Sequence, residues 1–169
     1  MSLLNDISEA LSDFESGGVV RLTHFSHVDG LTEIDPEKMF SGADRSNREI
    51  RSITGKTFPR AYFGIGVGEE GGYRKERALK NAPYEYTVEY PAKRIYDMNV
   101  DPDGLKEEIG KQQDAAREAH PNKMLSPDER VRIMDTVVHS KGYHGIAFDN
   151  PSFGQSCYLW VKVKVEQVQ

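Results

Sequence analysis

The chain has one cysteine, Cys157, in 169 residues. That excludes an internal disulfide, removes any cysteine-based zinc site and makes a reducing, cytoplasmic setting the simplest expectation. No apolar run approaches the roughly 18 residues needed to cross a bilayer, so no membrane partner is expected. The opening Met1-Ser-Leu-Leu-Asn-Asp has neither the basic start nor the apolar core of a secretory signal. Positive charge is not in excess either. Its 22 Lys and Arg stand against 27 Asp and Glu, a net −5, which argues against holding nucleic acid over the whole surface and leaves only a local basic patch. Repeats and low-complexity tracts are absent. The glycines of Gly64-x-Gly66-x-Gly68 do not fit G-x-G-x-x-G, and no tight strand–turn–helix follows, so a Rossmann reading is rejected.

What is present fits one domain with an adequate core. Leu3, Leu4, Ile7, Leu11 and Phe14 recur at helical spacing, predicting an N-terminal amphipathic helix within residues 1–18, closed by Gly17-Gly18. Residues 19–169 form the domain proper. Val19 to Phe25 reads as a core strand, Asp35-Pro36 as a turn, and Ser46-x-x-Glu49 as a capping box opening a short helix. A strand over 60–65 follows Pro59, then a glycine-rich loop, then a helix from Tyr73 to Asn81. Tyr84–Tyr90 and Arg94–Met98 read as strands broken near Pro91, with a largely solvated helix starting at Asp101-Pro102. Ser126-Pro-Asp-Glu129 is a second capping box, ahead of a helix burying Val131, Met134, Val137 and Val138. Gly145–Asp149 and Cys157–Val165 are the last strands, the second alternating buried Leu159, Val161, Val163 and Val165 with Trp160, Lys162 and Lys164. Short strands at hairpin spacing favour α+β over a doubly wound sheet.

Three residues stand out for chemistry. His24 ends a short apolar strand, with Thr23 and Ser26 beside it. Tyr62 lies in Arg60-Ala-Tyr-Phe-Gly-Ile-Gly66, and Tyr73 opens Tyr73-Arg-Lys-Glu-Arg-Ala-Leu79 across the glycine hinge. Singly, each is a structural residue more often than a functional one. Together, two rings held at a strand end and a helix start could sandwich a planar heterocycle, at about 1 kcal/mol per ring. A neutral imidazole beside them could bond a ribose hydroxyl, which makes NAD a candidate ligand. A metal reading of His24 and His27 is weak, because residues three apart on an extended chain face opposite ways. Glu69, Glu70, Glu85 and Glu89 read as solvated charges, and Asp149-Asn150-Pro151 as a turn.

In this order the residues resemble the ADP-ribosyltransferase fold of the diphtheria-toxin and poly(ADP-ribose) polymerase type, whose signature is His, Tyr, Glu. They resemble more closely the small ADP-ribosyltransferase-like domains of tailed phages and prophages. His24-Phe25-Ser26 matches the family's His-Gly-Ser or His-Gly-Thr, Arg60-Ala-Tyr62-Phe63 its Gly-x-Tyr-Phe, and Gly142-Tyr-His-Gly-Ile146 its Gly-Tyr-Asp-Gly-Ile. The resemblance spans roughly residues 19–168 and implies a split, mixed or antiparallel β core with flanking helices. It also implies NAD as substrate, no metal, and an ADP-ribose acceptor that is a host protein or nucleic acid in a bacterial or phage-infected cytoplasm. His24 would bond an NAD ribose, the Phe25 backbone would hold the carboxamide, Ser26 would support that carboxamide or a ribose, and Tyr62 and Tyr73 would flank the nicotinamide. Phe25 replaces the usual glycine. Ser156 and Cys157 precede Tyr158 where the family has its catalytic glutamate, leaving uncharged Gln155 as the nearby candidate beside His24 and Tyr62. Three readings stay open: an NAD-dependent mono-ADP-ribosyltransferase; a non-catalytic module binding NAD, ADP-ribose or a protein; and an NAD glycohydrolase or RNA 2′-phosphotransferase, the last needing Arg21, Arg60 or Arg74 in the cleft.

Overall fold

β-branched and aromatic residues at alternate positions build the strands. A computed structural model describes residues 18–38, 59–67, 69, 72–80 and 82–169. In chain order these form β1 (Val19–Ser26), β2 (Glu33–Ile34), β3 (Ala61–Ile65), α1 (Lys75–Leu79), β4 (Tyr84–Pro91), a 3₁₀ turn (Ala92–Arg94) and β5 (Ile95–Asp97). There follow α2 (Leu105–Ala119), α3 (Pro127–Ser140), β6 (Gly145–Asn150), β7 (Gly154–Leu159), β8 (Val163–Lys164) and β9 (Glu166–Gln167). The fold is α+β. Seven strands make one sheet in the order β5-β6-β7-β3-β1-β4-β9, and β2 pairs with β8 separately. Every pairing is antiparallel except that of β5 with β6.

This order forces the sheet to curl. β4 and β5 are joined by the single turn Ala92–Arg94, yet four strands lie between them in the sheet. A flat sheet would separate them by about 24 Å at roughly 4.8 Å per spacing, whereas three residues reach only about 10 Å. The sheet therefore folds over and encloses Val20, Leu22, Phe63, Ile95, Cys157 and Leu159. On the outer face of β5–β7, Tyr96, Ile146 and Tyr158 pack beneath Leu105 and Ile109 of α2 and Val137 and Val138 of α3.

β1 is paired unequally on its two sides. β1 pairs with β4 along its whole length, from Val19↔Pro91 to Ser26↔Tyr84. With β3 it pairs only at Leu22↔Ile65 and Thr23↔Gly64. From His24 onward β1 has no strand in register on that side, and the sheet opens between His24–Ser26 and Ala61–Phe63.

Several element ends differ from expectation. The helix expected from Asp101 starts at Leu105, because Asp101 (φ 53°) and Gly104 (φ 66°) turn the chain left-handed first. Asp101 then caps the helix by accepting from the Lys106 N–H at 3.2 Å. The strand expected over Cys157–Val165 is two pieces. β7 already begins at Gly154 and stops at Leu159, Trp160 turns its N–H to the His144 carbonyl, and Val163–Lys164 pairs with β2 instead. The helix expected over Tyr73–Asn81 is only Lys75–Leu79, and β6 runs on through Asn150 before the turn. The capping box holds as expected: Ser126 Oγ accepts from the Glu129 N–H at 3.2 Å, and Glu129 accepts from the Ser126 N–H at 3.0 Å. On α3, Ile133, Val137 and Val138 are buried with Arg132 and Asp135, whereas Val131 and Met134 are half-buried. The expected N-terminal helix and the capping box at Ser46-x-x-Glu49 lie outside the described residues.

Candidate functional site

The opening between β1 and β3 gathers the expected residues, and strand alternation sorts them onto two sides. His24 shares the core side with Leu22. Its ring lies 5.6 Å from Phe63, and its Nδ1 is 2.8 Å from the Tyr62 carbonyl oxygen. A carbonyl only accepts, so Nδ1 carries the hydrogen and spans the gap where the ladder has stopped. Burial lowers the His24 pKa against the raising effect of that hydrogen bond. The imidazole is therefore neutral near pH 7, and Nε2 is a bare acceptor.

Tyr62 and Tyr73 occupy the other side. Tyr62 is 51% exposed and meets Tyr158 edge-on at 5.8 Å. Tyr73 is anchored by its N–H to the Ile65 carbonyl and lies directly over Gly64, where an added Cβ would sit 2.4 Å from its Cγ. Its ring is near-parallel to Phe25 (5.7 Å, 12°) and to Phe153 (5.5 Å, 10°). The expected sandwich between Tyr62 and Tyr73 is thus not open at Tyr73, whose partners are the chain's own rings. The tyrosine rings and the His24 imidazole meet at the same opening but project to opposite sides of it.

The remaining candidates are placed as follows. Ser26 Oγ accepts from the Val28 N–H at 3.1 Å, shaping the turn after β1. Gln155 pairs across from Asp149 and alternates with Ser156, so it shares the core side with Cys157, away from Tyr62 and Tyr158. Glu69 fits better with the tyrosines: its carboxylate lies over Gly66 and, with Gly72, Tyr73, Arg74, Lys75 and Gly154, lines a hollow of about 310 Å³. Glu70 lies outside the described residues. Glu85 is tied to Lys75 at 2.7 Å.

A charged cluster beside Tyr62 was not anticipated. Arg60 Nη2 lies 2.5 Å from Asp135 Oδ2, and its guanidinium sits 4.4 Å over the Tyr158 ring. The Tyr158 hydroxyl donates to Asp135 Oδ1 at 2.5 Å. Burial works against the Arg60 charge, but Asp135 and the Tyr158 and Tyr62 hydroxyls outweigh it and hold its pKa above the ordinary value. Burial also pushes the Asp135 carboxyl up to about 6, against the lowering effect of Arg60, Tyr158 and Trp160. One signal was available: Asp135 falls between Val131 and Val138 at helical spacing, inside the apolar stripe of α3.

A curled α+β sheet with an opening lined by aromatic rings is the class of site defined here. No family model matches the chain, and no curated protein matches it. Among solved structures it is similar to one described as "Crystal structure of an anti-CRISPR protein", at 15% identity and a TM-score of 0.47, covering 89% of this chain and 96% of that one. Likeness at that level carries no argument about function. Among the described residues no helix is long and apolar enough to cross a membrane, and no cluster of metal-ligating side chains occurs.

Proposed function

We propose that the chain binds a nucleotide of the ADP-ribose kind, NAD or ADP-ribose itself, where β1 and β3 part. The observation that carries this reading is the half-exposed Tyr62 ring at the break in the sheet, where β1 and β3 pair at only two positions. Tyr62 offers a half-exposed ring for stacking. His24, buried on the core side, holds the Tyr62 carbonyl from Nδ1 and so positions the strand that carries this ring. The test is calorimetric titration of the full chain with NAD and with ADP-ribose, repeated on His24→Ala and Tyr62→Ala. Binding that both variants weaken while keeping the native circular dichroism supports the reading. No heat from either ligand at millimolar concentration, with the chain folded, overturns it.

ADP-ribosyl transfer from NAD to a host macromolecule is the second reading, and the position of Glu69 favours it. Transfer needs a carboxylate near the ribose to favour the developing positive charge. β7 turns Ser156 and Tyr158 toward Tyr62 and Gly64, whereas Glu69 lines the hollow beside Tyr73. Incubation with labelled NAD and host lysate tests it. Label transfer or nicotinamide release that Glu69→Gln abolishes supports transfer; neither product, from a chain that binds NAD, leaves a binding module.

A further inference from the structure

The ring that fills the space beside Tyr73 belongs to β1. Phe25 is fixed by the unbroken β1–β4 ladder opposite Glu85, and it lies parallel to Tyr73 within stacking range. The other neighbour of Tyr73 is Phe153, whose N–H is held by Asn150 Oδ1 at 3.2 Å. Tyr73 cannot recoil toward β3, since the absent Gly64 side chain is what makes room for it. Three rings are therefore held by three separate backbone anchors, and neither neighbour of Tyr73 is an open place for a ligand ring. Tyr62 differs: it is half exposed, and its aromatic neighbour Tyr158 meets it at 70° instead of lying parallel.

Among the described rings of this junction, Tyr62 is the half-exposed one, which suits a ligand with one aromatic ring. We propose that Phe25 is a built-in occupant of the ring place beside Tyr73 and sets ligand preference, so that ADP-ribose, carrying only adenine, binds in preference to NAD, which also carries a pyridinium. The proposal rests on the nucleotide-binding reading above. NAD enters fully only when the Phe25 ring is displaced, which makes the contact autoinhibitory toward the dinucleotide.

Titration of the wild-type chain and of Phe25→Ala with both ligands tests this. ADP-ribose is expected to bind wild type roughly tenfold more tightly than NAD, the scale of one lost aromatic stack. In Phe25→Ala the NAD affinity is expected to rise roughly tenfold, with ADP-ribose changed by less than about twofold. Phe25→Val, smaller than the ring and suited to a strand, serves if the alanine variant fails to fold, and is expected to shift the ratio the same way. NAD binding wild type as tightly as ADP-ribose, or an unchanged ratio in a folded variant, overturns the proposal while leaving the nucleotide site standing. No binding of either ligand overturns both.

Discussion

Gly64→Ala isolates the Tyr73 contact. Gly64 is not among the glycines with positive φ, so alanine fits the backbone and ordinarily gains about 0.5–1 kcal/mol by restricting the unfolded chain. Here the added Cβ would lie 2.4 Å from Tyr73 Cγ and 2.8 Å from its Cβ and Cδ1. Those atoms are the root of the ring, not the end of a flexible side chain, so the whole ring must move. Both parallel pairs, with Phe25 and with Phe153, are then lost. At about 0.5–1.5 kcal/mol per pair, less the backbone gain, the expected net destabilisation is about 1–2 kcal/mol. Urea denaturation with an unchanged m-value measures it. The double-mutant cycle with Tyr73→Gly, which removes the Cβ together with the ring, is decisive. Without the Tyr73 ring, Gly64→Ala should become neutral or stabilising. Equal destabilisation in both backgrounds would refute the contact between Gly64 and Tyr73 as the cause.

Three further outcomes are expected. Ser126→Ala removes the acceptor of the Glu129 N–H at the start of α3 and should cost about 1 kcal/mol in denaturant, with Ser126→Asp restoring most of it. Asp135 has a folded pKa raised from 3.8 to about 6, so the folded state favours its protonated form. Its contribution is then fully present below about pH 4 and lost as pH rises through 6, a span of about 3 kcal/mol at 1.36 kcal/mol per unit. Unfolding curves between pH 4 and 7 should show this slope in wild type and not in Asp135→Asn. His24 shifts the opposite way. The neutral ring is favoured on folding, so stability from this group is present above its unfolded value near 6.5 and falls as pH drops below it. The His24→Gln variant, with an amide that can still donate to Tyr62, should lack that acid-side loss.

Most elements could be read along the chain because their causes are local. The Ser126–Glu129 box needs only four consecutive residues. The alternation in Val19–Ser26 needs only its own period, and Gly142, at φ 89°, stops α3 by its own backbone freedom. The strand expected over 157–165 failed for the opposite reason. Its alternation is intact, but Trp160 and Val163 find partners in His144 and Ile34, more than ten residues away.

The candidate site divides along the same line. The order of His24, Tyr62 and Tyr73, the glycine hinge between the tyrosines and the phenylalanine after His24 are all properties of the string of residues. Which side each ring faces is not. That depends on β1 and β3 meeting in register at Leu22–Thr23 and then separating, which leaves His24 on the core side and the tyrosines outside. The pairing of Arg60 with Asp135, 75 residues apart, and the placement of Phe153 beside Tyr73 likewise required β3 and β7 to become neighbours. Sequence alone determined the α+β class and the residues available for binding, because propensity, caps and periodicity act over a few residues. Only the tertiary structure decided which of those residues meet, because register and curl are set by packing between segments far apart in the chain.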